Sequence, residues 1–195
     1  MSPVTHFLLS WVVAEGIGRD PVERRVITLA GIAPDLDGLG VVIDVVSPWV
    51  GGAVTAFYGE YHHALLHGLF GAALLSMCAA AAVRRKTVVG LGAFLVVHLH
   101  LLCDLVGSRG TSPWDLWSVS YFAPFSKVAT LQWQGQWPLN AWPNIVMTVL
   151  LIALGFVWAV RFGRSPLAAI SQNADQVFVE TVQGRWRRFR MRGHV

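Results

Sequence analysis

The sequence predicts an all-α, polytopic integral membrane bundle of about five helices, with an irregular tryptophan-rich outer loop and a basic C-terminal tail. Three observations carry this prediction. Hydrophobic residues fill 54% of the 195 positions and charged ones only 13%, against roughly 25% charged in soluble domains. The mean hydropathy is +0.53. Residues 64–83, 88–105 and 144–160 are apolar stretches, each near the ~20 residues that cross a ~30 Å hydrocarbon layer. The layout divides into a membrane-embedded domain over residues 1–165 and a tail over 166–195.

Taken in order, the first element is a short apolar span at residues 3–17. Residues 1–18 lack a basic leading stretch, so no cleavable signal peptide is expected. The second span, 22–33, ends at Pro34, a helix breaker that places Asp35 and Asp37 in a loop. Residues 38–61 are glycine-rich and mostly apolar, which suits a re-entrant or interfacial segment of open conformation. The three clear spans follow. Between the last two, Trp114, Trp117, Trp133, Trp137 and Trp142 alternate with Pro113, Pro124, Pro138 and Pro143. Such a segment is irregular, and its tryptophans suit the headgroup layer. The tail from Pro166 is moderately amphipathic and ends in Arg185, Arg187, Arg188, Arg190 and Arg192. It reads equally as a helix lying on a membrane surface or as a solvated basic tail.

Charge sets the expected orientation. With the N-terminus outside, five alternating spans place every Lys and Arg except Arg109 and Lys127 on the cytoplasmic side, 13 of 15. The C-terminus is then cytoplasmic, in agreement with the positive-inside rule. The net charge of +4 lies mostly in the tail beside apolar segments, which favours anionic lipid headgroups and argues against a nucleic-acid partner. Cys78 and Cys103 fall inside apolar runs, so a secreted-type disulfide framework is not expected.

Under that topology every histidine except His194 gathers at the outer end of the bundle with Asp35, Asp37 and Asp104. Ionisable side chains at membrane depth are costly and mark functional sites. His100 and Asp104 are i and i+4, on one helical face and able to share a metal. His98 lies about 200° round from His100 and turns away, as a packing or supporting histidine. His63 and His67 are also i and i+4, whereas His62 and His67 act together only if the helix begins after His62. Asp35 and Asp37 converge on one point if the backbone there is extended. Imidazole and carboxylate donors suit zinc, manganese or iron, and no Cys-x-x-Cys pair suggests a thiolate site. A catalytic metal would turn water into a nucleophile, and two ions could clamp a phosphoryl group.

The motifs Thr5-His6, Ala33-Pro34-Asp35-Leu36-Asp37, His62 and His67 within His-His-Ala-Leu-Leu-His-Gly, and His100-x-x-x-Asp104 occur in that order. Gly110-Thr111 and Pro124-Phe125-Ser126 follow. Together, over about residues 3–126, they resemble the LexA-regulated, membrane-bound, metal-dependent hydrolases, also called YdjM-like proteins. His63, Leu66 and Gly68 stand where that family usually has Arg, Thr and Ser, and Gly38 stands where it often has His.

The resemblance implies a bacterial inner-membrane hydrolase. His6, Asp35, Asp37, His62, His67, His100 and Asp104 would hold one or two divalent metals, with zinc the first expectation. The resemblance favours His62 as a ligand and helical spacing favours His63. Asp37, Asp104 or His63 would serve as general base. Placement at headgroup level suggests an ester or phosphoester, a membrane lipid among the candidates. Two other classes compete: a divalent-metal transporter, opposed by the absence of comparable polar sites in the lower halves of the spans, and a scaffold whose polar cluster ties helices together.

Overall fold

The computed structural model describes residues 1–58, 65–126 and 128–192. Its helices are α1 (Pro3–Ile17), α2 (Pro21–Ile32), α3 (Gly40–Trp49), α4 (Leu69–Ala81), α5 (Lys86–Gly107), α6 (Trp142–Phe162) and α7 (Gln172–Arg192), with 3₁₀ segments at Ala33–Leu39 and Pro166–Ala169. Local chemistry sets the boundaries. Ser2 caps α1 by accepting the Thr5 N–H, and Asp20 caps α2 by accepting those of Val22 and Glu23, with Pro3 and Pro21 in the first turns. A helix N-terminus has orphan donors that such side chains satisfy. At the other extreme, α6 ends on Gly163 with φ of 65°, the left-handed conformation that glycine adopts at least cost.

The bundle is built around α5, which packs against α1, α2 and α4, while α6 flanks α1. Its core is made of Ala14, Ile27, Ala30, Ala79, Val89, Ala93 and Val96. The many small side chains let the helices approach closely, the packing mode of membrane bundles. Closest of all is Gly31, whose missing Cβ would overlap the side chains of Ser10 and Val96. The outer surface is apolar as well: Ile145, Val149, Leu150 and Phe156 of α6 are all exposed. α5, α6 and the continuous run Pro21–Trp49 are long and apolar enough to cross a membrane.

Several expectations change. The span expected over residues 64–83 forms a helix only from Leu69 to Ala81, and residues 65–68 are bent. His67 therefore precedes the helix, and the i, i+4 argument for His63 does not apply to it. Pro34 does not open a loop; the chain continues as a 3₁₀ turn, Ala33–Leu39. Proline lacks the N–H and crowds the preceding turn of an α-helix, yet it fits the start of a new turn. The segment left unassigned after it contains α3, none of whose residues is buried. The outer loop carries an antiparallel pair, β1 (Ser118–Ser120) with β2 (Thr130–Gln132). The tail is helical over Gln172–Arg192.

The end of the bundle where α1 passes into α2 also carries buried charge. Glu23 accepts from Arg85 at 2.8 Å, and Glu15 accepts from Arg164 at 2.8 and 3.1 Å with Arg24 at 3.4 Å. These carboxylates, only 2–3% exposed, are paired with arginine, and the apolar core lies between them and the outer cluster.

Candidate metal centre

Four parts of the chain supply the outer cluster. α1 contributes His6, the 3₁₀ turn Asp35 and Asp37, the bend before α4 His67, and the end of α5 His100 and Asp104. His6, His67, His100 and Asp104 are all buried. The outer loop steadies this end. The Tyr121 carbonyl accepts the Leu69 N–H at the start of α4, and Asn144 donates to the Gly107 and Leu139 carbonyls while accepting from Trp137. The ends of α5 and α6 are thereby tied together beside the site.

Among the described residues, two overlapping groups have the spacing to hold an ion: His6, His100 and Asp104, and Asp35, His67 and His100. Within each, one donor atom per residue lies within 4.8 Å of the others. His100 belongs to both. Its Nε2 is 3.1 Å from Asp104 Oδ2, 3.7 Å from Asp35 Oδ1 and 3.3 Å from His67 Nε2. His6 stacks on the His100 ring with centroids 3.8 Å apart and brings Nε2 to 3.1 Å from Asp104 Oδ1.

The far sides of two rings are held by acceptors. His100 Nδ1 donates to the Gly31 carbonyl at 2.9 Å, and His67 Nδ1 donates to Asp37 Oδ2 at 3.3 Å. Assigned from these partners, both Nδ1 atoms carry the proton and both Nε2 atoms present lone pairs to each other. Asp104 Oδ2 lies 3.9 Å from His67 Nε2 as well, so acceptor atoms converge on one small region. His6 Nδ1 and Asp35 Oδ2 are buried without a hydrogen-bond partner. Converging lone pairs with orphaned donor atoms beside them form a cradle for a cation, and nitrogen and carboxylate oxygen are the donors that a borderline divalent metal takes.

The expected extended backbone at Asp35 and Asp37 is corrected by the 3₁₀ turn. At three residues per turn, positions two apart diverge by roughly 240°. Asp35 accordingly faces His100, while Asp37 accepts from the Leu66 N–H at 2.8 Å and from His67; it belongs to neither ion-holding group. His98 turns away, bonded to the Phe94 carbonyl and the Tyr121 hydroxyl. His62 and His63 lie outside the described residues.

Two supporting groups escaped the sequence reading. Ser108 donates to Asp104 Oδ1 at 2.8 Å, and its i+4 spacing from Asp104 was the available signal. The Gly31 carbonyl that orients His100 had none, because a backbone acceptor leaves no mark on residue type. The Met1 ammonium also contacts Asp104 and Ser108.

The arrangement is an apolar helical bundle with a His/Asp cluster at one end. No curated protein and no solved structure matches the chain. The model of the YdjM inner membrane protein family matches residues 1–181, a stretch that includes every residue of the cluster, and the chain belongs to that family.

Proposed function

We propose that the protein is a metal-dependent hydrolase of the inner membrane that cleaves an ester or phosphoester, with membrane lipids as the substrate class. The observation that supports this best is the pair of imidazole Nε2 atoms facing each other at 3.3 Å with the Asp104 and Asp35 carboxylates beside them. His6, Asp35, His67, His100 and Asp104 would hold one or two metals, zinc first and manganese or iron as alternatives, and His62 is a further candidate. A divalent metal there would supply Lewis-acid polarisation of the scissile group and acidify water to a nucleophile.

The protein's own groups do the rest. The Gly31 carbonyl and Asp37 fix the imidazoles in the tautomer that aims Nε2 inward, as outer partners of metal-binding histidines do. Ser108 fixes one oxygen of Asp104. Asp37, Asp104 and His63 are the candidate bases for the attacking water. Of the clustered side chains Asp35 is the most open, at 24% exposure against 0–5% for His6, His67, His100 and Asp104, so substrate approaches from its side. Lipid esters are favoured because exposed Trp114 and Trp142 border this end of the bundle, and tryptophan settles at headgroup level. The C-terminus is assigned to the cytoplasm by the distribution of basic residues, which reporter fusions at residue 195 would check.

The deciding measurement is metal content by inductively coupled plasma mass spectrometry, on detergent-purified wild type beside the His100→Ala, Asp104→Ala double variant. Stoichiometric metal in the wild type alone, with phosphoester or lipid-ester cleavage lost in the variant, is the expected result. Wild type without metal, or a double variant with full metal and activity, would overturn the reading.

A further inference from the structure

At the opposite end of the molecule, α7 crosses α6 and is fastened to it. Asp175 accepts from the Ser165 N–H at 2.7 Å and its hydroxyl at 2.6 Å, which ties the first turn of α7 to the connection after α6. Gln183 Nε2 donates to the Ala159 and Val160 carbonyls at 3.1 and 3.3 Å. The rings of Phe156 and Phe178 meet with centroids 5.2 Å apart.

Between the two helices lies an open groove of about 740 Å³, within the ~300–1,000 Å³ typical of small-molecule sites. Its walls include Phe156, Val157, Phe178 and Phe189, and two guanidiniums, Arg161 and Arg185, also line it. Phe156 is 45% exposed, Val157 46% and Phe189 70%. On a membrane-spanning helix such contiguous apolar surface faces acyl chains rather than water. Among the described residues neither Arg161 nor Arg185 is in an ion pair, although arginines elsewhere at this end are paired. α6 crosses the membrane, so the groove in its last turns opens toward one leaflet. An apolar trough joined to two uncompensated cations fits a ligand with acyl chains and an anionic head. A soluble phosphate ester would leave the aromatic wall uncovered, and a neutral lipid would leave the arginines unmatched.

We propose that this groove binds one anionic phospholipid, its phosphate on Arg161 and Arg185 and its acyl chains against Phe156, Val157, Phe178 and Phe189. The site is separate from the His/Asp cluster and rests on the membrane embedding of the bundle, not on the hydrolase reading. Bound lipid fastens α7 to α6 and aligns the further cations Arg187, Arg188 and Arg190 with the same headgroup layer.

The test is native mass spectrometry of the full-length protein in detergent, titrated with phosphatidylglycerol, with phosphatidylethanolamine of the same acyl chains, and with inorganic phosphate. The wild type should retain one phosphatidylglycerol in preference to phosphatidylethanolamine and should bind no phosphate alone. In the Arg161→Gln, Arg185→Gln variant phosphatidylglycerol should bind roughly 30-fold more weakly, from about 1 kcal/mol per basic residue at a membrane surface taken twice, and the preference should vanish. Val182→Trp, which fills the groove and keeps both arginines, should weaken both lipids and decides the matter if the arginine variant fails to fold. Equal binding of the two lipids by the wild type, or undiminished phosphatidylglycerol binding in both variants, would overturn the proposal.

Discussion

Replacing Asp37 by Asn separates an orienting role from direct ligation. Asp37 Oδ2 accepts two bonds, from the Leu66 N–H at 2.8 Å and from His67 Nδ1 at 3.3 Å. The amide keeps an oxygen for Leu66, so the bend that carries His67 stays in place. His67 itself is only 1% exposed and is held by packing. What is lost is the charge on its Nδ1 partner. Removing an outer partner of a metal-binding histidine costs roughly 10–100-fold in metal affinity. The long His67 bond and the retained backbone bond put Asp37→Asn at the lower end, about tenfold, or ~1.4 kcal/mol. Asp37→Ala removes both bonds and should approach the upper end, ~100-fold. The assay is competition for Zn²⁺ between the apoprotein in detergent and a chromophoric chelator. Wild-type affinity in both variants would refute the orienting role, and a loss well beyond 100-fold in Asp37→Asn would make Asp37 a ligand in its own right.

Other substitutions probe the frame around the cluster. Gly31→Ala puts a methyl group into Ser10 and Val96 and should lower stability by about 1–3 kcal/mol as overpacking does; thermal unfolding in detergent measures it. Ser108→Ala removes one bond to the buried Asp104 carboxylate and should cost about 1.5–3 kcal/mol, the range for bonds to charged groups, read in the same unfolding experiment. Stripping the metal with a chelator from protein held at 100 times its dissociation constant should lower stability by about 2.7 kcal/mol, and an unchanged Tm would place no metal in the folded state. Proteoliposomes should show no uptake of Zn²⁺, because Ala14, Ile27, Ala30, Ala93 and Val96 form an apolar layer between the outer cluster and the inner ion pairs.

The parts of this structure that follow from composition and periodicity were legible in the sequence. α1, α5 and α6 fall within a few residues of the apolar stretches that predict them, because hydrocarbon solvation requires long apolar runs whatever the tertiary context. The pairing of His100 with Asp104 was legible for the same kind of reason, since one helical turn fixes it. Pro34 was read as a full stop, and the structure uses it to begin a tighter turn. That choice depends on α5 packing against the turn, which no local signal conveys. The start of α4 was misplaced because alanine and leucine at 64–68 look helical, whereas the Tyr121 carbonyl caps the chain at Leu69 from a loop more than 50 residues away. Glu15 and Glu23 were overlooked as polar groups of the end where α1 passes into α2 because their partners Arg24, Arg85 and Arg164 are assembled from α2 and from the connections after α4 and α6.

The contrast between the two ends of the bundle bears on why the histidines are there. Where the chain ties helices together at the end away from the histidines, it matches the buried Glu15 and Glu23 with arginine donors and the buried Asp175 with the Ser165 N–H and hydroxyl. Buried polar groups tie helices only under that condition, since an unmatched one costs more than a made bond returns. At the outer end the Met1 ammonium contacts Asp104, and no lysine or arginine among the described residues pairs with Asp35, Asp37 or Asp104. The imidazole protons that could have bridged the cluster are turned outward instead, to the Gly31 carbonyl and Asp37, and the lone pairs are turned inward. One added proton would bridge the gap between His67 and His100 and would still leave His6 Nδ1 and Asp35 Oδ2 without partners. A divalent cation would answer the converging acceptors together, and metal content in the wild type beside the His100→Ala, Asp104→Ala variant separates that reading from a purely structural polar knot.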